Sequence, residues 1–449
     1  MIMHDHTLPY PSDPVQTFAA LRGGWPHAVW LDGEAGGRFS IMSADPRELL
    51  VSVGGRTRIT PRAGAARTSD ADPLALLAER LGPKRPASAP PFSGGAIGYF
   101  GYELGRRLQG QQPALPDGPE MAVGLYDWAL VMDHHERRAS LRGAPPAGLM
   151  ATLRAGAPPG AVGDWASTGP VAATPGEAGY REAFRRVARY IRDGDCYQVN
   201  LARRFQAPVS GDLLAAYRSF RRLAGGPFAA YLELPGGPVL SGSPERFLAL
   251  RDGQVETRPI KGTRARGSDP ASDAAARAAL TDSSKDRAEN VMIVDLLRND
   301  LGRSCATGSI RVPELCAVES FATVHHMVSA VTGRLAPGRH ATDLLRDCLP
   351  GGSITGAPKY RAMEIIEELE GGPRGVYCGA IGYLGFDGAM DTSIAIRTAT
   401  VRDGRLEYRA GGGLVADSEC AAEFAETETK AAAFRRLIHV SRFACSFSL

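Results

Sequence analysis

Residues 283–303 read SSKDRAENVMIVDLLRNDLGR. The run predicts a long helix over 285–301, and Asp286 and Glu289, three residues apart, project their carboxylates from one face of it. Towards the N-terminus the pattern predicts a helix at 270–281 and, before it, a hairpin of 246–250 and 254–259 turning at Asp252-Gly253. Further back, Tyr180, Phe184, Val187 and Ile191 recur at helical spacing up to a stop at Gly194. A strand over 197–205 follows, with Tyr197, Val199 and Leu201 on one face and Gln198 and Asn200 on the other. Towards the C-terminus the reading gives a helix at 357–370, strands at 376–384, 391–401 and 405–411, and a helix over 418–438. Strands and helices come in blocks rather than in strict alternation, which predicts an α+β protein with antiparallel sheets.

Residues 1–141 read as short strands with turns, and 142–176, rich in Ala, Gly and Pro, as a linker to a domain at 177–440. GGAIGYFGYE at 94–103 is similar to GAIGYLGF at 379–386, two Gly-rich strands of one type.

Composition narrows the classes. The 449 residues are 44% hydrophobic and 22% charged, enough for one large domain or several ordinary ones. A net charge of +3, with no basic run interleaved with aromatics, argues against a nucleic-acid partner. The opening MIMHDHTLPYPSDP has neither a basic nor an apolar leader region, and no uninterrupted apolar stretch is long enough to span a membrane. Cysteines at 196, 305, 316, 348, 378, 420 and 445 are odd in number and lack CxxC spacing, the pattern of reduced thiols in a cytoplasm. The pairs His134-His135 and His325-His326 are adjacent rather than four apart, so a zinc site is not expected.

Only five residues are lysine (84, 261, 285, 359, 430) in a chain that otherwise uses arginine for positive charge. Lysine, unlike arginine, can lose its proton and act as a nucleophile. Lys261 lies in Pro-Ile-Lys-Gly-Thr (259–263) and Glu245 in Ser-Pro-Glu-Arg-Phe (243–247). The hairpin puts both at one end of a sheet, where an amine and a carboxyl can serve as nucleophile and general acid, or form a structural pair. On the last helix Glu419, Glu423, Glu426 and Lys430 make one stripe. That stripe is either a solvated face or, with Asp286 and Glu289, a set of oxygen ligands for Mg²⁺ shared with an anionic substrate. Gly351-Gly-Ser353-Ile-Thr355-Gly-Ala-Pro358-Lys359 offers free N–H groups to an anion but lacks the Lys-Ser/Thr of a nucleotide-binding loop. Gly411-Gly-Gly413 is a second place of close backbone approach.

Taken together, these runs resemble the chorismate-utilising enzymes, the family of anthranilate synthase component I, aminodeoxychorismate synthase component I and the isochorismate and salicylate synthases. The resemblance is carried by 283–303 with VHHMVS, GGSITGAPK, CGAIGYLG, AIRTA, GGG and EFAETETK in order, covering about 175–440. GGAIGYFGYELGR at 94–106 is similar, more loosely, to the family's N-terminal part. The resemblance implies a large α/β sandwich of antiparallel sheets with helices outside, built from both regions. Two positions bear on the subfamily. Isochorismate-type enzymes carry a water-activating lysine where Gln198 stands, and anthranilate synthases carry Ala where Lys261 stands. Both point to the aminodeoxychorismate synthase pattern, with anthranilate synthase component I as the alternative.

The resemblance further implies that Lys261 attacks chorismate while Glu245 protonates the departing C4 hydroxyl, with His326 near the leaving group and Thr263 also among the catalytic residues. Mg²⁺ is implied at Glu289 and Glu426, with Asp286 and Glu423 outer or water-mediated. Tyr377, Arg397, Gly411, Gly412, Gly413, Lys430, Thr355 and Gln198 match substrate-binding positions. A neutral Lys261 is expected from nearby Mg²⁺, Arg397 and Lys430. The family's tryptophan-pocket segments are replaced here by Trp30-Leu31-Asp32-Gly33 and Gly225-Gly226-Pro227-Phe228. Cys196 lacks the second glycine of a Gly-x-Cys-x-Gly nucleophile turn and is read as structural. With the sequence ending at Leu449, ammonia is expected from a separate glutamine amidotransferase subunit.

Overall fold

The computed structural model describes residues 6–86, 91–321 and 324–445, with side chains up to residue 440. Two large sheets, of 13 and 12 strands, dominate it, and every strand pairing among the described residues is antiparallel, with register shifts in three of them. The three largest apolar clusters define the layers. One, with Val29, Ile41, Ile97, Tyr99, Ala230 and Ile381, fills the space between the sheets. The other two lie outside, each beneath helices: Phe18, Phe220 and Phe434 on the larger sheet, Leu77, Leu297 and Ile365 on the smaller. The α/β sandwich expected from the sequence is therefore present, because each sheet buries one face against the other and its second face under amphipathic helices.

Each sheet combines strands from the N-terminal and the C-terminal parts of the chain. In the larger, Val29–Asp32 pairs with Phe228–Leu232; in the smaller, Gly95–Phe100 pairs with Ala380–Gly385. The two similar Gly-rich strands are thus neighbours, with Gly98 opposite Gly382. A Cβ on Gly382 would stand 2.1 Å from Asp391 O, so the close strand approach excludes any side chain there.

The helices Glu177–Arg192, Pro270–Thr281, Ser284–Gly302 and Lys359–Glu370 and the hairpin Arg246–Arg251/Gln254–Thr257 lie where the sequence places them. Other readings need correction. Residues 1–141 also hold the helices Pro14–Gly24, Pro73–Leu81 and Tyr102–Leu108. Two of these start at Pro with an Asp N-cap, a signal overshadowed by the flanking strands. Within 142–176 there is a helix, Leu149–Ala155, and two short strands that pair with Gln198–Gly211. The run 391–401 is two strands, Met390–Ile394 in the smaller sheet and Thr398–Arg402 in the larger. Between them Arg397 takes φ 48°, the left-handed region that lets the chain change sheets. Tyr377 precedes its strand in a turn containing Gly375 and Cys378, both at positive φ. Tyr197 is exposed, whereas Gln198, Val199 and Leu201 are buried, because the strand beginning at Gln198 is covered on both faces. No helix among the described residues is long and apolar enough to cross a membrane.

Candidate functional site

Two sheet-to-sheet crossings lie side by side and build the floor of the site. The chain passes from Val239–Ser243 in the larger sheet to Arg246–Arg251 in the smaller through Pro244 and Glu245, and returns between Ile394 and Thr398. Ile394 N donates to Glu245 O at 3.1 Å and Ser243 Oγ donates to Ile394 O at 2.6 Å, locking the crossings together. Glu245 is thereby fixed in the interior, 6% exposed.

Lys261 arrives on the strand Ile260–Ala265, which pairs with Val324–Arg334. The register slips between Ile260 and Thr263, and Gly262 takes φ 77°. Such a bulge re-aims the side chain it carries. A Cβ on Gly262 would press on Asp286 Cγ at 2.9 Å, so the bulge also needs glycine to lie against the helix Ser284–Gly302.

Lys261 and Glu245 meet at Ser353. Lys261 Nζ donates to Ser353 O at 3.4 Å, and Ser353 Oγ donates to Glu245 Oε1 at 2.9 Å. Burial pushes the Glu245 carboxyl up against the pull of Lys261, Ser353 and Lys430. Burial pushes the Lys261 amine down, opposed by Glu289 and Glu245 and helped by Lys430. Both displacements favour a neutral amine beside a protonated acid, the state a nucleophile and a general acid require. Burial rather than Arg397 leads this effect. Arg397 is exposed and bears instead on His326, which burial and then Arg397 lower to about 4. Thr263 Oγ1 lies 2.8 Å from His326 Nδ1, and the Phe321 ring packs on the neutral imidazole with centroids 5.4 Å apart.

The glycines 411–413 lie inside the strand Arg405–Leu414, not beyond its end, and pair with Ala202, Leu201 and Asn200. A Cβ on Gly413 would stand 2.4 Å from Gln198 Nε2, so this glycine makes the space that the buried Gln198 occupies. Gln198 Oε1 has no partner among the described residues, while Asn200 Nδ2 donates to Ser353 O at 3.3 Å. Tyr377 is buried under the Arg374 guanidinium. The Thr355 hydroxyl is committed to Gly351 O at 3.0 Å and Gly352 O at 3.3 Å.

The carboxylates expected to hold a cation come from two helices. Glu423 and Glu426 both approach Gly412, whose added Cβ would lie 3.2 Å from Glu423 Oε2 and 3.6 Å from Glu426 Oε1. Glu423 accepts from Ser418 Oγ at 2.7 Å, and Glu426 Oε1 lies 2.7 Å from Lys430 Nζ, which also donates to Gly411 O at 2.9 Å. Glu289 is half-buried and within electrostatic reach of Lys261 and Glu423. Burial pushes Glu289 up against the pull of Lys261 and Lys285, with Asp286 and Glu423 adding to it, and burial pushes Glu423 up against its Ser418 hydrogen bond, with Glu426 adding to it. Asp286 is drawn off to Arg264 Nη2 at 3.0 Å. Among the described residues no group of three acidic, His or Cys side chains forms a ready-made cation cage.

Sequence reasoning missed Ser353, Asn200 and Arg374. Ser353 sits in a run singled out for its glycines, and Asn200 beside Gln198, so both had a positional signal. Arg374, among 47 arginines, had none. The departing segments at 30–33 and 225–228 meet at a cavity of about 560 Å³ between the sheets. There Asp32 is held by Arg221 Nε at 2.7 Å and the Tyr217 hydroxyl at 3.0 Å.

Against known proteins, residues 26–436 match the model of the chorismate binding enzyme family. Aminodeoxychorismate synthase component 1 of Klebsiella aerogenes is 48% identical, over 96% of this chain and 98% of its own. The protein of the same name from Salmonella typhimurium is 46% identical, over 96% and 97%. The crystal structure of anthranilate synthase component I from Streptococcus pneumoniae superposes with a TM-score of 0.78 at 32% identity, covering 88% of this chain and 92% of that one. The chain belongs to the chorismate binding enzyme family.

Proposed function

We propose that this enzyme aminates chorismate at C4 to 4-amino-4-deoxychorismate, using ammonia supplied by a glutamine amidotransferase subunit, as an aminodeoxychorismate synthase component 1. The observation that carries this reading is the Lys261–Ser353–Glu245 arrangement, with Glu245 and Ser353 buried and Lys261 half-buried, in a chain 48% identical to a relative of that name. The neutral Lys261 amine adds at C2, both ring double bonds shift one position towards C4, and the C4–O bond breaks as Glu245 delivers its proton, releasing water and leaving the C2-bound nitrogen as an ammonium. Ammonia then adds at C4, both double bonds return, the C2–N bond breaks so that Lys261 leaves as the neutral amine, and the new C4 ammonium can give one proton back to the Glu245 carboxylate. Ser353 keeps the two groups in register, and the neutral His326, fixed by Thr263, lies beside them.

Glu289, Glu423 and Glu426 suit Mg²⁺, which commonly takes one or two protein carboxylates, waters and an anionic substrate rather than a closed protein cage. Glu423 and Glu426 crowd at Gly412, and Glu289 lies within electrostatic reach of Glu423, so the three carboxylates can share one cation. When bound, the ion neutralises a substrate carboxylate. Lys430, Arg397, Tyr377 and the glycine strand hold the remaining substrate groups, and Gln198, without an ionisable amine, leaves C2 to Lys261 rather than to activated water. The described free thiols, five of the six buried, agree with a cytoplasmic enzyme.

Incubation with chorismate, ammonium and Mg²⁺, against an EDTA control, tests the reading. The expected product is a non-fluorescent amine that keeps the enolpyruvyl group. Fluorescent anthranilate would assign the chain to the other branch of the family.

A further inference from the structure

The GYELGR run at 101–106 has no part in the site as described, yet it reaches the site through one buried arginine. Arg374 has 1% side-chain exposure and uses four of its five N–H groups. Nη1 donates to Ile354 O at 3.0 Å and Nη2 to Asn200 O at 2.9 Å, while Nε and Nη2 form a two-pronged pair with Glu370 at 2.9 and 2.6 Å. Its plane also lies over the rings of Tyr102, at 4.7 Å, and Tyr377, at 5.6 Å. One guanidinium therefore fixes the strand bearing Gln198 and Asn200, the loop bearing Ser353, and Tyr377.

Glu103 fixes Arg374 in turn. Its two carboxylate oxygens accept Arg374 N at 2.7 Å and Gly375 N at 2.8 Å, and Tyr102 N donates to Gly375 O at 2.9 Å. Glu103 is 2% exposed, so these bonds replace its hydration.

We propose that Arg374, seated by Glu103 of the GYELGR helix, is a positioning residue for the amination reaction. It sets Asn200 and Ile354 on either side of Ser353, and Ser353 sets Lys261 against Glu245. This rests on the reading that Lys261 and Glu245 carry out the chemistry. The need is for a planar fork with several donors, which lysine cannot supply. The need at position 103 is for two acceptors, where glutamine presents one acceptor and one donor.

The test compares kcat, KM for chorismate and Tm in Arg374→Lys and Glu103→Gln, with Arg221→Lys, whose ion pairs are to Asp32 and Glu34 and not to a site residue, as an ion-pair control. Both site variants should lose about 10²-fold in kcat, the scale of a displacement near 1 Å, with a smaller change in KM. Arg221→Lys should lower Tm and leave kcat at the parent value. Should Arg374→Lys fail to fold, Glu103→Gln decides, since it leaves the guanidinium in place. Parent-level kcat in a folded site variant with lowered Tm overturns the proposal and leaves a purely structural role. Lys261→Ala is assayed alongside: if it turns over chorismate, the nucleophile assignment fails, and that failure is read separately from the Arg374 result.

Discussion

Ser353 donates its hydroxyl to Glu245 at 2.9 Å, deep in the join between the two sheets. One carboxyl oxygen is thereby occupied, so the proton to be delivered belongs on the other. Glu245→Gln should lower turnover by about 10²–10⁴-fold, the usual share of a general acid, with little change in chorismate affinity. Ser353→Ala, which removes one hydrogen bond of about 1 kcal/mol, should cost roughly fivefold. Steady-state kinetics check both, and a loss confined to KM would make Glu245 a binding residue.

The opposite displacements of Lys261 and Glu245 predict the pH profile. The reactive state holds one proton on the pair, on Glu245. Lys261, lowered from its ordinary value, gains a second proton on the acid side; Glu245, raised, gives up the shared one on the alkaline side. At saturating chorismate and constant free NH₃, kcat should be bell-shaped, with limbs belonging to the pair as a whole. Glu245→Gln should lose the alkaline limb and keep the acid one. An unchanged alkaline limb in that variant contradicts the acid assignment.

Glu426 is salt-bridged to Lys430 at 2.7 Å, and that exposed pair alone resembles an ordinary solvated helix face. The cation assignment distinguishes the two roles. Glu289→Ala and Glu426→Ala should each abolish turnover at Mg²⁺ concentrations that saturate the parent enzyme, since each removes one ligand from a site with few. Full activity of either variant at low Mg²⁺ would return the stripe to the solvated-face reading.

Cys196 is buried, and burial pushes its thiol up to about 11, the reverse of an activated glutaminase nucleophile. The isolated protein is therefore expected to use ammonia and not glutamine, with glutamine becoming a substrate once an amidotransferase subunit is added. Its rate at fixed total ammonium should rise as NH₃ is released from NH₄⁺, up to the alkaline limb. Product from glutamine alone, lost in Cys196→Ser, would contradict this.

The parts of the molecule legible in the sequence are those where periodicity or residue type leaves little choice. The helix Ser284–Gly302 and the hairpin leading to Ile260–Ala265 have such patterns, and scarcity singled out Lys261. The split of 391–401 was not legible, because a single apolar run carries no sign that its halves join different sheets. Tyr197 misled for a related reason: alternation assumes one wet face, whereas the strand beside the glycines 411–413 is covered on both. Gln198 was located from the resemblance, but its orphaned carbonyl oxygen is visible only in three dimensions. Arg374 shows the limit most clearly, since its importance lies in carbonyls contributed by residues 20 and 174 positions away.

The central claim is that Lys261 bonds to the substrate. Intact-mass analysis of the parent enzyme incubated with chorismate and Mg²⁺, without ammonia, should show a covalent adduct that peptide mapping places on Lys261. Lys261→Arg, which keeps the charge but cannot present a neutral amine, should show none and should be inactive. No adduct in the parent, together with full turnover by Lys261→Ala, would contradict the account.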